Sequence, residues 1–555
     1  MKVNYMKRLL VLLVLAAMML SVSCSRKDTA PSVKCYNGTF VGMTENGIAS
    51  FKGIPYAKPP IGELRWKAPE PVEADDGTYD ATHFGKSAIQ LKASSELASM
   101  NPEGQSEDCL TLNIWTADLE KKNKPVMFWI HGGAYSYGGT SDPLYDGQYL
   151  VAEHPDILLV SCNYRVGPMG FIDFSNVPGS EGYEDSCNLG LLDQIEALRW
   201  IQRNIESFGG DPANVTIFGE SAGAGSAAIL PVMPMARGLF KRVISESGSI
   251  ALTYSREEAK LFTELFMKEA KAKTMQDLLK LSQEEIWKIN EPINDKNNFP
   301  VRDGRIIPED LYAAYERGES IGVDMISGTN KDECRYWIGE MGGLAAYAAA
   351  IPVLFENHVM AFEPEDVVKA KQYYKHGQGE IHWRLTEFNN DLVFRVPAQE
   401  QLLLHSDNGG NAYHYFWTFP SAIKNYGACH AVELAFVFNN PDETIFTGGN
   451  YNQELADEVQ QMWVNFAKTG DPSTEKNRWP KYDSKTKQTL VLGEKIYVKE
   501  NLLSRRTAVI KDFLKYRING NYGALSFNIP YIWIVSIAVF LIIATIILIF
   551  VFIIK

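Results

Sequence analysis

Cysteine is scarce in this chain: seven in 555 residues. That is too few for a disulfide scaffold, and no Cys-x-x-Cys or His/Cys pair stands at metal-ligand spacing, so no metal site is expected. Clustered basic charge is missing as well. The 54 Lys and Arg are outnumbered by 67 Asp and Glu, giving a formal charge of −13, and no Lys/Arg run lines a face, which argues against nucleic acid as a partner. Between residues 35 and 520 there is no Pro/Ser-rich linker and no internal repeat, so that stretch is expected to be one continuous domain. Hydrophobic residues at 46% and charged residues at 22% are ordinary globular usage and rule out a disordered or fibrous chain. What remains is an enzyme-sized globule with two ends of different character.

Residues 1–23 have the pattern of a secretory signal: Lys2, Lys7 and Arg8, the uncharged apolar stretch Leu9–Leu20, then small residues. Those small residues run into Cys24, which resembles the bacterial lipoprotein signal and makes Cys24 a lipidation candidate; a plain cleavage site with an idle cysteine is the other reading. Residues 24–34 would be a tether. At the opposite end, Tyr531 to Ile554 are 24 residues without a charge. At 1.5 Å per residue they match the roughly 30 Å hydrocarbon core, with Tyr531 and Trp533 at one boundary and Lys555 at the other. Residues 530–555 are therefore expected to be a transmembrane helix that anchors the protein, leaving it exported and held at a membrane by this helix and, through Cys24, by lipid.

The middle opens with short strand-like runs such as Ile48-Ala-Ser-Phe, and then strands and helices alternate. Val126-Met-Phe-Trp-Ile130 and Ile157-Leu-Leu-Val-Ser-Cys162 are unbroken apolar runs that predict buried strands. Between Asn188 and Phe208, Leu191, Leu192, Ile195, Leu198, Ile201 and Ile205 recur at helical spacing, and Val215-Thr-Ile-Phe218 is a further strand. This order predicts an α/β fold, a mostly parallel central sheet with helices on both faces, with its chemistry at the carboxyl ends of the strands.

At the end of that last strand stands Gly219-Glu-Ser221-Ala-Gly223. The five-residue pattern is weak by itself, and its context sharpens it: a strand enters it, and Ala222-Gly-Ala-Gly-Ser-Ala-Ala leaves it as a small-residue helix start. A nucleophile elbow needs this arrangement, because only tiny neighbours let strand and helix approach a strained serine. A serine needs a base, a group orienting that base, and donors for the oxyanion. The run His131-Gly-Gly-Ala-Tyr135 follows a strand and could supply backbone N–H groups at Gly133 and Ala134, with that of Ala222; His131 itself reads as a loop residue. Of six histidines beyond residue 333, His414 falls in a strand-like run, while His430 follows a loop and suits a base. Asp332 and Glu333 both follow a strand-like run and a turn, and either could orient an imidazole.

These residues reach a family. Phe51-Lys-Gly-Ile-Pro-Tyr-Ala-Lys-Pro-Pro60 with Leu64-Arg65-Trp66, Ser106-Glu-Asp-Cys109, Asn163-Tyr-Arg-Val-Gly167, Asn188-Leu-Gly-Leu-Leu-Asp-Gln194, Phe208-Gly-Gly-Asp-Pro212, the elbow, Lys331-Asp-Glu333, His430 with Glu433, and Trp463 to Pro472 resemble, in order, the type-B carboxylesterase and cholinesterase family of the α/β-hydrolase fold. The resemblance implies Glu333 as the acid and His430 as the base of a Ser221–Glu333–His430 triad. It also implies a small-molecule ester substrate, with no cofactor and no metal. The cysteine that pairs with the equivalent of Cys109 in secreted eukaryotic members is missing. This likens the chain to bacterial para-nitrobenzyl esterases and suggests a bacterial cell envelope. The tryptophan that holds a quaternary ammonium in cholinesterases is also missing near Ser99 to Pro102, so acetylcholine is not expected.

The rival class is a non-catalytic, membrane-anchored recognition protein of the neuroligin kind, which has lost the serine that this chain keeps. A lipase acting on aggregated lipid calls for an apolar lid, and no segment of the sequence announces one. The segment Glu257–Glu291 reads as a solvated amphipathic helical cover.

Overall fold

The computed structural model describes residues 30–90, 104–290, 293, 299–360, 362–375 and 379–515. The expected signal, the lipidation candidate Cys24 and the expected anchor 530–555 lie outside the described residues, among which no helix is long and apolar enough to cross a membrane.

Along the chain the strands are β1 (Ser32–Cys35), β2 (Asn37–Val41), β3 (Met43–Glu45), β4 (Ile48–Pro55), β5 (Asp75–Asp80), β6 (Thr111–Thr116) and β7 (Lys124–Ile130). They continue with β8 (Leu158–Cys162), β9 (Gly210–Glu220), β10 (Arg242–Glu246), β11 (Asp324–Asn330), β12 (Ala412–Trp417), β13 (Thr489–Leu492) and β14 (Tyr497–Lys499). The helices that matter below are α1 (Leu189–Asn204), α2 (Ala222–Ile229), α3 (Arg256–Glu269), α4 (Leu344–Met360), α5 (Pro364–Lys375), α6 (Ile381–Asn389), α7 (Val396–Asp407), α8 (Gln453–Thr469) and α9 (Ser504–Lys511).

Eleven strands form one mixed sheet in the order β14-β13-β12-β11-β10-β9-β7-β8-β6-β4-β3. Its centre, from β13 through β9 and β7 to β8, is parallel throughout, and antiparallel pairs close both edges. The alternation along β7 explains why both faces need helices. Val126, Phe128 and Ile130 enter one core with Leu191 and Ile195 of α1. Met127 and Trp129 enter the other with Met462, Trp463 and Phe466 of α8.

Two expectations change in detail. β1 starts at Ser32, inside the stretch expected to be a tether: Val33 and Cys35 point inward and pair with Phe40 and Gly38 of β2, so the fold begins earlier than residue 35. The segment after Ser255 is a half-buried wall of three short helices, α3, Met275–Leu279 and Gln283–Asn290. A Ser255/Glu258 capping box starts α3, and Phe262 and Phe266 are buried beneath it.

Two motifs distant in sequence meet inside the fold. Asp193 of α1 accepts from the Arg165 backbone N–H at 3.0 Å, from Nε at 2.8 Å and from Nη2 at 2.6 Å, and both side chains are fully buried. The pair fastens the loop after β8 to α1. Removing one partner of such a pair leaves a buried charge uncompensated and costs about 3–5 kcal/mol, whereas replacing both by apolar groups costs far less. Urea unfolding is therefore expected to show a large loss for Asp193→Ala and a smaller one for the double variant Arg165→Met/Asp193→Leu.

Candidate active site

The site is built where β9 ends. Ser221 sits between β9 and α2 with φ 55° and ψ −116°, a conformation costly for any residue with a side chain. It is held there from several sides. Its N–H donates to the Glu246 carbonyl at 2.9 Å, and its own carbonyl accepts from the Gly225 N–H at 2.9 Å. A Cβ on Gly223 would lie 1.9 Å from the Ile130 carbonyl oxygen of β7, so glycine alone lets α2 start this close to the sheet.

The loop after β7 runs alongside. A Cβ on Gly132 would fall 3.2 Å from Ser221 Cβ, which places the loop beside the serine. Gly133, Ala134 and Tyr135 follow with φ of 101°, 52° and 56°, turning consecutive amides to one side. The N–H groups of Gly133, Ala134 and Ala222 donate to no acceptor among the described residues. N–H groups without an acceptor, one of them at a helix start, are donors of the kind that attract negative charge. His131 takes no part. Its ring stacks on Tyr164 at 4.4 Å between centroids, its Nδ1 meets the Gly132 carbonyl at 2.8 Å, and burial pushes its pKa down to about 4.

The histidine and the carboxylate come from the other half of the chain. Glu333 lies just beyond β11, completely buried. One of its oxygens accepts from the Asn330 N–H at 2.7 Å and the other meets His430 Nδ1 at 2.7 Å. The backbone repeats the contact, with the His430 N–H donating to the Glu333 carbonyl at 3.2 Å. Asp332, the neighbouring candidate, faces away: its carboxylate holds Arg335 at 3.0 Å and the Ala428 N–H at 3.1 Å. His414 stays in β12, bonded to Thr489 at 3.0 Å.

The structure joins Glu333 to His430 directly and brings the other face of the ring to the elbow, though not to Ser221 Oγ by a hydrogen bond. His430 Nε2 lies 3.1 Å from a carboxylate oxygen of Glu220, the residue before the serine. Catalytic hydrogen bonds commonly tighten only when substrate is bound.

Several residues of this site were given no role from the sequence. Glu220, Glu246 and Glu433 are buried like Glu333; Glu220, Glu333 and Glu433 act on the His430 imidazole, and Glu246 lies behind them, next to Glu433 and Glu220. Glu433 is held by Asn330 Nδ2 at 2.5 Å and Glu246 by Trp463 Nε1 at 2.9 Å. Burial, with mutual repulsion added, raises the pKa of Glu246, Glu220 and Glu433 above the ordinary carboxylate range. Burial works against a charge on His430, but Glu220, Glu333 and Glu433 outweigh it and raise its pKa. Trp337 and Phe394 pack on the imidazole at 5.6 and 4.9 Å. The spacing of Glu433 three residues after His430 and the glutamate inside the elbow were the available signals for two of these.

A model of the carboxylesterase family matches residues 29–510. The chain belongs to that family. It is 37% identical over 486 residues to the para-nitrobenzyl esterase of Bacillus subtilis (strain 168), covering 84% of this chain and 95% of the relative. It is 32% identical to the mouse carboxylesterase 1F, over 85% and 92%. Among solved structures, the Geobacillus stearothermophilus carboxylesterase EST55 superposes with a TM-score of 0.77 at 32% identity, covering 86% of this chain and 99% of that one. A thermophilic PNB esterase gives 0.77 at 34% identity, over 87% and 100%. The fold is thus of the α/β-hydrolase carboxylesterase type, and the reaction class is hydrolysis of carboxylic esters.

Within this family member the elbow is the least tolerant point. Gly223→Ala is expected to push α2 off β7 and lower ester hydrolysis by at least about 100-fold through misplacement of Ser221; kcat/KM on a para-nitrophenyl ester, beside a circular dichroism spectrum of the folded variant, checks it.

Proposed function

We propose that this carboxylesterase works through an acyl-enzyme, with Ser221 as nucleophile, His430 as general base and Glu333 as the group that orients the ring. The observation that carries the proposal is the contact of buried Glu333 with His430 Nδ1 at 2.7 Å, on a ring whose Nε2 edge is turned to the elbow, 3.1 Å from Glu220. A carboxylate on Nδ1 fixes the tautomer, leaving Nε2 free to accept a proton beside Ser221, and it offsets the charge that the ring then carries.

Ser221 Oγ attacks the carbonyl carbon as its proton passes to Nε2, and the electron pair moves to the carbonyl oxygen. That oxygen gathers negative charge where the N–H groups of Gly133, Ala134 and Ala222 have no other acceptor among the described residues. Collapse breaks the bond to the alcohol, whose oxygen takes the proton from His430. Water, giving its proton to the same Nε2, then attacks the acyl carbon; the bond from that carbon to Ser221 Oγ breaks, Oγ takes the proton back from His430, and the acid leaves. No step asks for a metal or a cofactor. The substrate we assign is a small neutral carboxylic ester, in keeping with the carboxylesterase and para-nitrobenzyl esterase names of the relatives. From the sequence of residues 1–24 and 530–555 we place the enzyme outside the cytoplasm of a bacterium, membrane-held at its C-terminal end.

Hydrolysis of para-nitrophenyl esters from acetate to palmitate tests the assignment. Ser221→Ala is expected to lose at least about 10⁴-fold in kcat, and Glu333→Gln a similar amount, because the wrong tautomer is then favoured. A folded wild-type chain inert toward the whole series would leave the non-catalytic recognition role.

The pH profile is a separate test. The rate needs neutral His430, whose pKa the surrounding carboxylates raise above the 6.5 of free imidazole. The acid limb of kcat/KM on a neutral ester is therefore expected to have its midpoint above pH 6.5. Glu220→Gln removes the strongest upward influence and should move that midpoint down by about one unit. A profile flat from pH 5 to 9 contradicts the assignment of His430.

A further inference from the structure

Helix α4 is a surface helix with the wrong composition for water. From Leu344 to Phe355 it carries no charged residue. Its buried side holds Tyr347, Ile351 and Phe355, and the hydroxyl of Tyr347 is bonded to Thr386 of α6 at 2.8 Å. Its exposed side presents Ala345, Ala349 and Val353, four residues apart, with the half-exposed Leu344, Ala348 and Pro352 beside them. A helix on a water-facing surface normally turns charged groups outward. The next two helices also expose large apolar side chains, Val368 on α5 at 54% and Ile381 on α6 at 43%.

The chain leaves the described fold from this same group of helices. After α9, Phe513 is buried with its ring 5.0 Å from that of Phe362, and Lys515 pairs with Asp366 of α5 at 2.6 Å. Helix α5 is in turn tied to α4 by Lys371 and Lys375, which both pair with Glu356. Beyond Lys515 come fourteen residues, 516–529, then Pro530 and the apolar Tyr531 to Ile554. Fully extended, fourteen residues reach about 48 Å.

We propose that the exposed face of α4 docks on the surface of a zwitterionic phospholipid bilayer, and that the enzyme takes neutral esters dissolved in that bilayer. This rests on the reading of residues 530–555 as an anchor, which holds the α4–α5 pair within reach of lipid. A zwitterionic surface fits better than an anionic one, because the chain carries a formal charge of −13 and the lysines linking α4 to α5 already have acidic partners. Helix α4 also begins seven residues after Trp337, whose ring packs on His430, so the docked helix follows closely in the chain on a wall of the catalytic histidine.

The test uses the full chain in phosphatidylcholine vesicles, with a nitroxide on Ala349→Cys and, as a control, on Lys34→Cys; the six cysteines among the described residues are buried. The label at 349 is expected to collide with oxygen far more than with a water-soluble nickel chelate, and the label at 34 the reverse. A nickel-accessible label at 349 overturns the docking. So does a label shielded from both, which would mean that protein, the segment 530–554 included, covers the face. A chain that does not float with the vesicles overturns anchor and docking together. In the same vesicles, Val353→Glu is expected to lower hydrolysis of bilayer-dissolved para-nitrophenyl palmitate at least fivefold while leaving para-nitrophenyl acetate hydrolysis within twofold. An unchanged palmitate-to-acetate ratio overturns the proposal, whereas a wild-type chain inert on acetate would fell the esterase assignment instead.

Discussion

The structure turns on one strained residue. Ser221 has φ 55° between a central parallel strand and the helix that follows it, and it keeps that conformation only because its surroundings over-determine it. Its amide is bonded to β10, its carbonyl caps the first turn of α2, and Gly223 lets the helix rest on the Ile130 carbonyl. The parallel arrangement of β7, β9 and β10 supplies the rest. Ile130 of β7 and Gly219 of β9 are in register, so the loop beginning at His131 leaves the sheet beside the elbow, and its amides reach the serine.

Around this geometry the fold buries four acidic side chains, three of which burial and mutual repulsion push toward the protonated form. Four glutamates share the interior with one imidazole, and only one of them, Glu333, meets Nδ1 directly. The arrangement is costly as a structural device, since each buried carboxylate loses hydration. Under the proposed acyl transfer it is understandable as an electrostatic one, because the carboxylates around the imidazole favour the charge that the ring would then carry. The aromatic rings of Trp337 and Phe394 complete the enclosure and limit water around the histidine.

The parts legible in the sequence were those with strong local signals. The apolar runs of β7 and β8, the helical period of α1 and the small-residue elbow all fell where expected, because burial on both faces of a parallel sheet leaves an unbroken pattern. The carboxylate was not legible from local pattern. Asp332 and Glu333 are neighbours on one turn, and which of them meets the histidine depends on Arg335 and on a loop nearly 100 residues later that brings Ala428 to one and His430 to the other. Only the family resemblance separated them. Glu246 stayed hidden because its partners lie on β9, α8 and the loop carrying Glu433. The exposed side of α4 was not legible in the sequence: a run of twelve uncharged residues does not say which side is buried, and only the packing of Tyr347, Ile351 and Phe355 shows it.

The covalent intermediate is the claim on which the rest depends. The most direct measurement is intact and peptide mass spectrometry of the chain quenched in acid within seconds of mixing with para-nitrophenyl acetate. The account predicts one acetyl group per chain, on the peptide that holds Ser221, decaying as product continues to form and absent from Ser221→Ala. Steady hydrolysis with no adduct at Ser221, or with an adduct on another residue, would contradict it.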